Sequence, residues 1–150
     1  MIEHTQLYFH RPDTEGTIGD CFRTVIACIL NYPAPDDVPH VYELAYDPKN
    51  PSKLATPEAH KLLNKFLAPQ GLRYFEYPLE CTHVELETYL KHYLPGIYVH
   101  IGCNSIHGGH SVVMKDDDYL WDPSKDNSGC VAPMEDGYYW IGLIIKDTSK

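Results

Sequence analysis

The feature that most constrains this chain is residues 19–30, GDCFRTVIACIL, where a polar lead-in changes abruptly into an apolar run. After Phe22 only the next two residues are polar, and a helix that is apolar on most sides belongs in a domain interior. Asp20 stands just before the first helical turn and is a favourable N-cap residue. The segment therefore predicts a central buried helix that begins at Cys21.

The position of Cys21 at the start of that helix bears on its chemistry. The first helical turn has unpaired backbone N–H groups and the positive end of the helix dipole, and both favour a thiolate over a thiol. The thiolate is the nucleophilic form of cysteine. Cys28 lies two turns further into the predicted core and is better explained as a packed side chain. Taken alone, this segment leaves Cys21 equally open to a nucleophilic role and to simple packing.

Length and composition favour one compact domain over residues 1–150. The 150 residues, 43% of them hydrophobic, are enough to bury a core without disulfide bonds. The five cysteines are odd in number and lack short paired spacings, so we expect free thiols in a reducing compartment. We expect no cofactor.

The charge balance limits the partners. A formal net charge of -9 at pH 7 argues against nucleic acid or an anionic membrane surface, since both require basic patches. The N-terminus has no basic or apolar signal region, and no apolar run approaches the roughly 20 residues that span a bilayer. We therefore expect a cytoplasmic protein that acts on a neutral or cationic substrate, or on another protein.

The first half of the chain predicts helices separated by loops. Residues 6–9 are expected to form a short strand, followed by a polar loop over residues 11–19 that leads to the cysteine helix. A short helix is predicted over residues 38–45, with a proline near its start. A longer helix is expected to open at Thr56 and to close at Gly71.

From residue 72 onward the sequence pattern is mainly that of strands. Residues 72–77 predict one strand, after which Thr82 and Glu85 form a capping-box pattern for a further helix. The remaining strands are predicted from short runs of β-branched and aromatic residues, and residues 116–118 form a tight turn between two of them. These runs are residues 97–101, 110–114, 119–121 and 138–145. Helices followed by a meander predict an α+β domain, with the sheet packed against the cysteine helix.

Two residues of this sheet supply the partners that a nucleophilic cysteine needs. His110 stands at the start of one predicted strand and Asp122 at the end of the next. An antiparallel hairpin brings them close, so that Asp122 accepts a hydrogen bond from one ring nitrogen and the other nitrogen faces Cys21. Asp122 would then orient the imidazole, and His110 would take the thiol proton. Together the three residues predict a catalytic Cys-His-Asp set.

The same residues resemble a known family, the small papain-like thiol hydrolase domains. The resemblance rests on residues 19–30, VPH at 38–40, GHSVV at 109–113 and WDPS at 121–124. It is closest to the bacteriocin-leader peptidases and to small proteins of tailed phages and bacteria. It covers nearly the whole chain in element order and implies the papain-like (cysteine proteinase) α+β fold, with N-terminal helices packed on a C-terminal antiparallel sheet.

For the site, this resemblance implies a cysteine peptidase with Cys21 as nucleophile, His110 as general base and Asp122 as the orienting residue. The chain departs from the family in the oxyanion hole. Papain-like enzymes usually place a glutamine about six residues before the cysteine, where this chain has Glu15, and a carboxylate repels a developing oxyanion. The other candidates for this role or for the substrate groove are Gln6, Thr14, Thr17, Asp20 and His107.

A zinc site is an alternative use of the histidines. His100, Cys103, His107 and His110 lie within eleven residues and include a Cys-x3-His spacing. Structural zinc sites favour two paired knuckles, and His100 falls inside an apolar strand, where it is expected to turn inward as a hydrogen-bonded core residue. We therefore expect no metal.

Two classes of function remain. The first is a thiol-dependent acyl-transfer enzyme that acts on a peptide, a protein or a small amide. It is a peptidase, isopeptidase or amidase if water resolves the acyl-thioester, and an acyltransferase or transamidase if an amine does. The second class is a catalytically weak or inactive scaffold that binds a peptide or small ligand. The Cys-His-Asp set favours the first class, and the missing glutamine favours the second.

Overall fold

The computed structural model describes residues 1–50 and 55–149. Within these residues the chain is mixed α+β, with four α-helices and a five-stranded antiparallel sheet. The helices are α1 (Cys21–Ile29), α2 (Val41–Leu44), α3 (Thr56–Leu67) and α4 (His83–Tyr93). The strands are β1 (Leu72–Leu79), β2 (Val99–Ser105), β3 (Gly108–Lys115), β4 (Asp118–Trp121) and β5 (Tyr139–Lys146).

The strands of the sheet follow the spatial order β1-β5-β2-β3-β4. β2, β3 and β4 form a meander through two consecutive antiparallel pairings. β5 is last in the chain, yet it lies between β1 and β2 and pairs with β1 from Leu72↔Lys146 to Leu79↔Tyr139. Helices and strands are therefore less segregated than the sequence suggests, since β1 precedes α4 and joins the same sheet.

α1 occupies the interior, as its sequence predicts. All of its residues from Phe22 to Cys28 are buried. Val25 and Cys28 pack with Val113 of β3, while Phe22 and the residue one turn after it pack with α2 and α3 on the other side. Each fully buried aliphatic or aromatic side chain contributes roughly 1.5–3 kcal/mol to folding. This packing on two sides holds the N-terminus of α1, and with it Cys21, against the sheet.

The two longer helices, α3 and α4, begin where the sequence predicts. α3 begins at Thr56, and after a short 3-10 turn the chain reaches Gly71, whose φ of 69° is left-handed. At the start of α4 the Thr82 amide donates to Glu85 Oε2 at 2.7 Å, and the Glu85 amide donates to Thr82 Oγ1 at 3.2 Å. Such an N-cap contributes about 1 kcal/mol. α4 then buries two leucines, Leu86 and Leu90, against β2, β3 and β5.

The strand predicted over residues 6–9 is wrong. The Tyr8 amide donates to Asp20 Oδ1 at 2.8 Å, and the Gln6 amide donates to the Pro123 carbonyl at 2.7 Å. The segment therefore bonds to a side chain and to the loop after β4 rather than to a neighbouring strand. Its effect is to fasten the N-terminal residues to the start of α1.

Two local predictions near α1 and α2 also need correction. Asp20 precedes α1, but its side chain makes no capping bond, because its carboxylate accepts from the Tyr8 amide and from Arg23 Nε at 3.1 Å. The helix predicted over residues 38–45 is shorter and begins only at Val41. Val38 has an extended backbone, as expected for a residue that precedes proline.

In the described residues, no helix combines the length and the apolar character needed to cross a bilayer.

Candidate active site

The β3–β4 hairpin brings His110 and Asp122 into direct contact. β3 and β4 pair in antiparallel register from Lys115↔Asp118 to Val113↔Trp121, with an irregularity between. His110 lies three residues before the end of this pairing, and Asp122 lies one residue after it. His110 Nε2 is 2.6 Å from Asp122 Oδ1, and both side chains are buried. The predicted pair therefore forms a short, charge-assisted hydrogen bond that is shielded from solvent.

Backbone amides hold the Asp122 carboxylate in place. The Ser124 amide donates to Oδ1 and the Gly129 amide donates to Oδ2, each at 2.8 Å. Burial alone raises the pKa of Asp122, but these two bonds and the His110 imidazole outweigh it and hold the pKa well below its usual range. Asp122 is therefore an ionised, fixed acceptor.

The His110 imidazole connects Asp122 to Cys21. Burial alone lowers the pKa of His110, but hydrogen bonds to Asp122 and to the Cys21 side chain raise it to about 10. Since Asp122 occupies Nε2, the nitrogen left for the Cys21 sulfur is Nδ1. Cys21 is the first residue of α1 and is partly exposed, whereas Cys28 is fully buried. The structure thus brings together the three residues that the sequence singled out.

Cys21 and His110 both line a cavity of about 570 Å³. The walls come from the start of α1, from the chain before it, from α2 and α3, and from the sheet. Several of the lining residues are ones that the sequence did not single out for the site: His10, Phe22, Tyr42, Glu76, Ser111 and Trp140. Cys21 therefore lies in the wall of a cavity that is also lined by aromatic and acidic side chains.

His10 lies next to the segment that leads to Cys21. The Gly19 amide donates to His10 Nδ1 at 3.3 Å. A Cβ on Gly19 would lie 2.9 Å from the His10 Cβ, so only glycine allows this approach. Because Nδ1 accepts, the neutral ring carries its proton on Nε2 and is a donor there. The one sequence signal for this arrangement is the glycine two residues before the cysteine, which does not by itself point to His10.

None of the six predicted groove or oxyanion residues lines this cavity. The Gln6 side chain is buried, and its Nε2 donates to the Tyr8 carbonyl at 2.7 Å. Glu15 pairs with Arg11 at 2.7 Å on the surface. The Thr17 hydroxyl donates to the Phe9 carbonyl at 2.8 Å.

The other three candidates also lie elsewhere. Thr14 is exposed, Asp20 is buried against Tyr8 and Arg23, and His107 is exposed with its Nε2 2.9 Å from Asp126 Oδ2. None of these three residues lines the cavity.

His100 is a hydrogen-bonded core residue, as the alternation of β2 predicts. Its Nδ1 is 2.8 Å from the Tyr74 hydroxyl and its Nε2 is 2.9 Å from Ser111 Oγ. Burial lowers its pKa to about 3, so the ring stays neutral. Gly142 of β5 leaves room for this contact, because a Cβ there would lie 2.6 Å from His100 Nδ1.

The spacing that suggested zinc does not produce a ligand cluster. His100, His107 and His110 bond to three different partners, and within residues 1–50 and 55–149 no group of three or more Cys, His, Asp or Glu side chains is placed to hold a metal ion. Each of these histidines is instead held in a separate hydrogen bond.

No protein-family model matches this chain, and no curated protein or solved structure matches it either.

Proposed function

We propose that this protein is a thiol-dependent hydrolase of papain-like fold that cleaves a peptide or amide bond through an acyl-thioester. One observation carries the proposal: His110 Nε2 lies 2.6 Å from the buried Asp122 carboxylate, and His110 lines the same accessible cavity as Cys21, whose side chain helps to raise the His110 pKa. A helix that begins with the cysteine and packs on an antiparallel sheet agrees with the papain-like resemblance.

The first half-reaction starts from an ion pair in which His110 already holds the proton of the Cys21 thiol, since the pKa of His110 is about 10. The thiolate attacks the substrate carbonyl carbon, a C–S bond forms, and the π electrons move to the carbonyl oxygen. When this tetrahedral intermediate collapses, the C–N bond breaks and His110 gives its proton to the leaving amine. Asp122 stabilises the imidazolium until it gives up this proton.

In the second half-reaction water resolves the acyl-thioester. His110 takes a proton from a water molecule while the water oxygen attacks the carbonyl carbon, and the C–S bond then breaks. The products are the free acid and the Cys21 thiolate, and the proton taken from water stays on His110, which restores the starting ion pair. An amine in place of water would give acyl transfer by the same steps.

Two donors replace the glutamine of the papain-like enzymes. The Cys21 backbone N–H stands at the first position of α1, where no intrahelical acceptor exists. His10 supplies the second donor through Nε2–H, since its Nδ1 accepts from the Gly19 amide and its ring lines the cavity. The neutral imidazole donates to an oxyanion, as the glutamine amide does in the related enzymes.

Thiol labelling tests this proposal. Iodoacetamide near neutral pH, read by peptide mass mapping of the native protein, should modify Cys21 far faster than the other four cysteines. Burial raises the pKa of Cys28 to about 11 and also raises the pKa of Cys81. A hydrogen bond with Cys130, together with burial, raises the pKa of Cys103.

A peptidyl probe with an amide-mimicking electrophile should add covalently to the native protein and leave the Cys21→Ser variant unmodified. Equal labelling of all five thiols by iodoacetamide, or equal probe addition to Cys21→Ser, contradicts the proposal.

We place the enzyme in the reducing cytoplasm of a bacterial or phage-infected cell, where the thiol stays free.

A further inference from the structure

The cavity beside Cys21 holds a carboxylate that has no lysine or arginine partner among residues 1–50 and 55–149. Glu76 of β1 lines the cavity with its side chain 12% exposed. The Tyr74 hydroxyl donates to Glu76 Oε2 at 2.8 Å. Glu76 Oε1 lies 3.6 Å from His60 Nε2, beyond hydrogen-bond distance. One oxygen of Glu76 is thus left to interact with whatever enters the cavity.

The groups around Glu76 do not balance its charge. Burial lowers the pKa of His60 more than Glu76 raises it, and burial also keeps His100 neutral. Tyr74 stays protonated, since burial raises its pKa well above the usual range. Among residues 1–50 and 55–149, no lysine or arginine forms an ion pair with Glu76, and the cavity lining contains neither residue type. A partly buried, uncompensated carboxylate is costly unless a cation joins it.

Aromatic rings surround the same part of the cavity. The Phe22 ring packs edge-on against Tyr42 at 5.2 Å and against His100 at 5.1 Å between ring centroids. Tyr46 and Trp140 also line the cavity. Aromatic faces attract cations and accept the methylene groups of long basic side chains. The lining therefore suits a group that is apolar along its length and positive at its end.

This part of the cavity adjoins the thiol. Phe22 follows Cys21 directly in the chain, and its ring contacts Tyr42. Tyr42 and Glu76 line the same cavity as Cys21. The three side chains therefore border one space. A substrate whose carbonyl reaches Cys21 has its neighbouring side chain within this aromatic and acidic region.

We propose that Glu76 binds the cationic side chain of a substrate residue next to the scissile bond, so that the enzyme selects peptides with lysine or arginine at that position. This inference rests on the proposed hydrolase function and names the substrate class of the same site. Asp136 is a second acidic residue of the cavity lining, and its carboxylate accepts from Trp140 Nε1 at 2.9 Å.

The first experiment compares turnover of matched peptidyl aminocoumarin amides that carry lysine, arginine or norleucine next to the cleaved bond. Norleucine keeps the apolar stem of lysine and lacks its charge. We expect kcat/KM to be about 10- to 100-fold higher for lysine than for norleucine, the range that a charge-assisted hydrogen bond provides. Glu76→Gln should abolish this ratio by lowering only the rate for the cationic substrates, whereas Glu80→Gln, on an exposed residue outside the cavity, should keep it.

The second experiment separates binding from chemistry. Two compounds are titrated into the Cys21→Ser variant, with and without Glu76→Gln, by calorimetry: Nα-acetyl-lysine methylamide, whose side-chain amine is free, and Nα-acetyl-norleucine methylamide. Tighter binding of the lysine compound that disappears with Glu76→Gln supports the inference even if no peptide is cleaved, in which case only the proposed hydrolysis fails. Turnover with equal rates for lysine and norleucine overturns the inference and leaves the hydrolase intact. Equal binding of the two compounds by Cys21→Ser overturns it as well, whether or not the Glu76 variant folds.

Discussion

His110 Nε2 lies 2.6 Å from Asp122 Oδ1, and the same carboxylate accepts the amides of Ser124 and Gly129. The Asp122 side chain is therefore held from three directions and cannot rotate away from the imidazole. A ring fixed through Nε2 presents Nδ1 in one direction, toward the start of α1. This fixed orientation, rather than the presence of a histidine alone, makes the arrangement suitable for general-base catalysis.

Replacing Asp122 should test how far turnover depends on the orientation of the imidazole, and replacing His110 should test how far it depends on proton transfer. Asp122→Asn should lower kcat on the order of 10⁴-fold, because the amide favours the wrong tautomer, and His110→Ala should lower it on the order of 10⁶-fold. The measurement is steady-state hydrolysis of a peptidyl aminocoumarin, with circular dichroism to verify folding.

His107→Ala is the matched control, since this histidine is exposed and pairs with Asp126 outside the cavity. Its turnover should stay within about twofold of the native rate, as for a surface substitution. A larger loss in His107→Ala than in His110→Ala would show that the base is the other histidine.

Much of the fold follows from local sequence signals. The apolar run after Cys21 predicts a buried helix because no face of it suits water, and the Thr82 and Glu85 capping box fixes the start of α4. The hairpin that joins His110 to Asp122 follows from two short strands around a turn at residues 116–118. These features depend on neighbours in the chain, so a single sequence reveals them.

The cavity depends on contacts between distant segments and could not be predicted in this way. Glu76 enters the site because β5 lies between β1 and β2, and nothing local to residues 72–77 indicates that pairing. His10 enters because it lies close to Gly19 and accepts a hydrogen bond from the Gly19 amide. Likewise residues 6–9 have strand composition, but Asp20 and Pro123 take their hydrogen bonds. In each case a tertiary contact overrides the local pattern.

His10→Ala should reduce acyl transfer without reducing the reactivity of the thiol. Loss of one oxyanion donor lowers kcat by about 10²- to 10³-fold, because the tetrahedral intermediate loses a hydrogen bond. Alkylation by iodoacetamide forms no oxyanion, so the rate of Cys21 labelling should stay close to that of the native protein. The two rates are measured on the same preparation.

His10→Gln is the informative companion variant, because an amide restores a neutral donor and should recover part of the lost turnover. An unchanged kcat in His10→Ala would exclude the histidine as a donor. Equal losses of kcat and of alkylation rate would instead indicate that His10 positions Cys21.

The His110–Asp122 pair should make the free energy of unfolding fall as the pH rises above neutrality. The pKa of His110 is about 10 in the folded protein and about 6.5 in an unfolded chain. Below about pH 6.5 both states hold the proton, and the stabilisation is fully present. Between about pH 6.5 and pH 10 only the folded state holds it, so unfolding releases a proton and stability declines with rising pH. Asp122, whose pKa is lowered, contributes in the opposite direction and loses its stabilisation only in acid, below about pH 4.

Thermal unfolding at pH 6.5 and at pH 9.5 measures this effect. The melting temperature of the native protein should fall by at least about 2–4 °C more than that of Asp122→Asn, since about 1 kcal/mol corresponds to such a shift in a chain of this size. Removing the carboxylate removes the main interaction that raises the His110 pKa, so the variant should show the flatter profile. His107→Ala should keep the native slope, because it leaves the buried pair intact. An Asp122→Asn profile as steep as the native one would contradict the conclusion that the bond to Asp122 is the main cause of the raised His110 pKa.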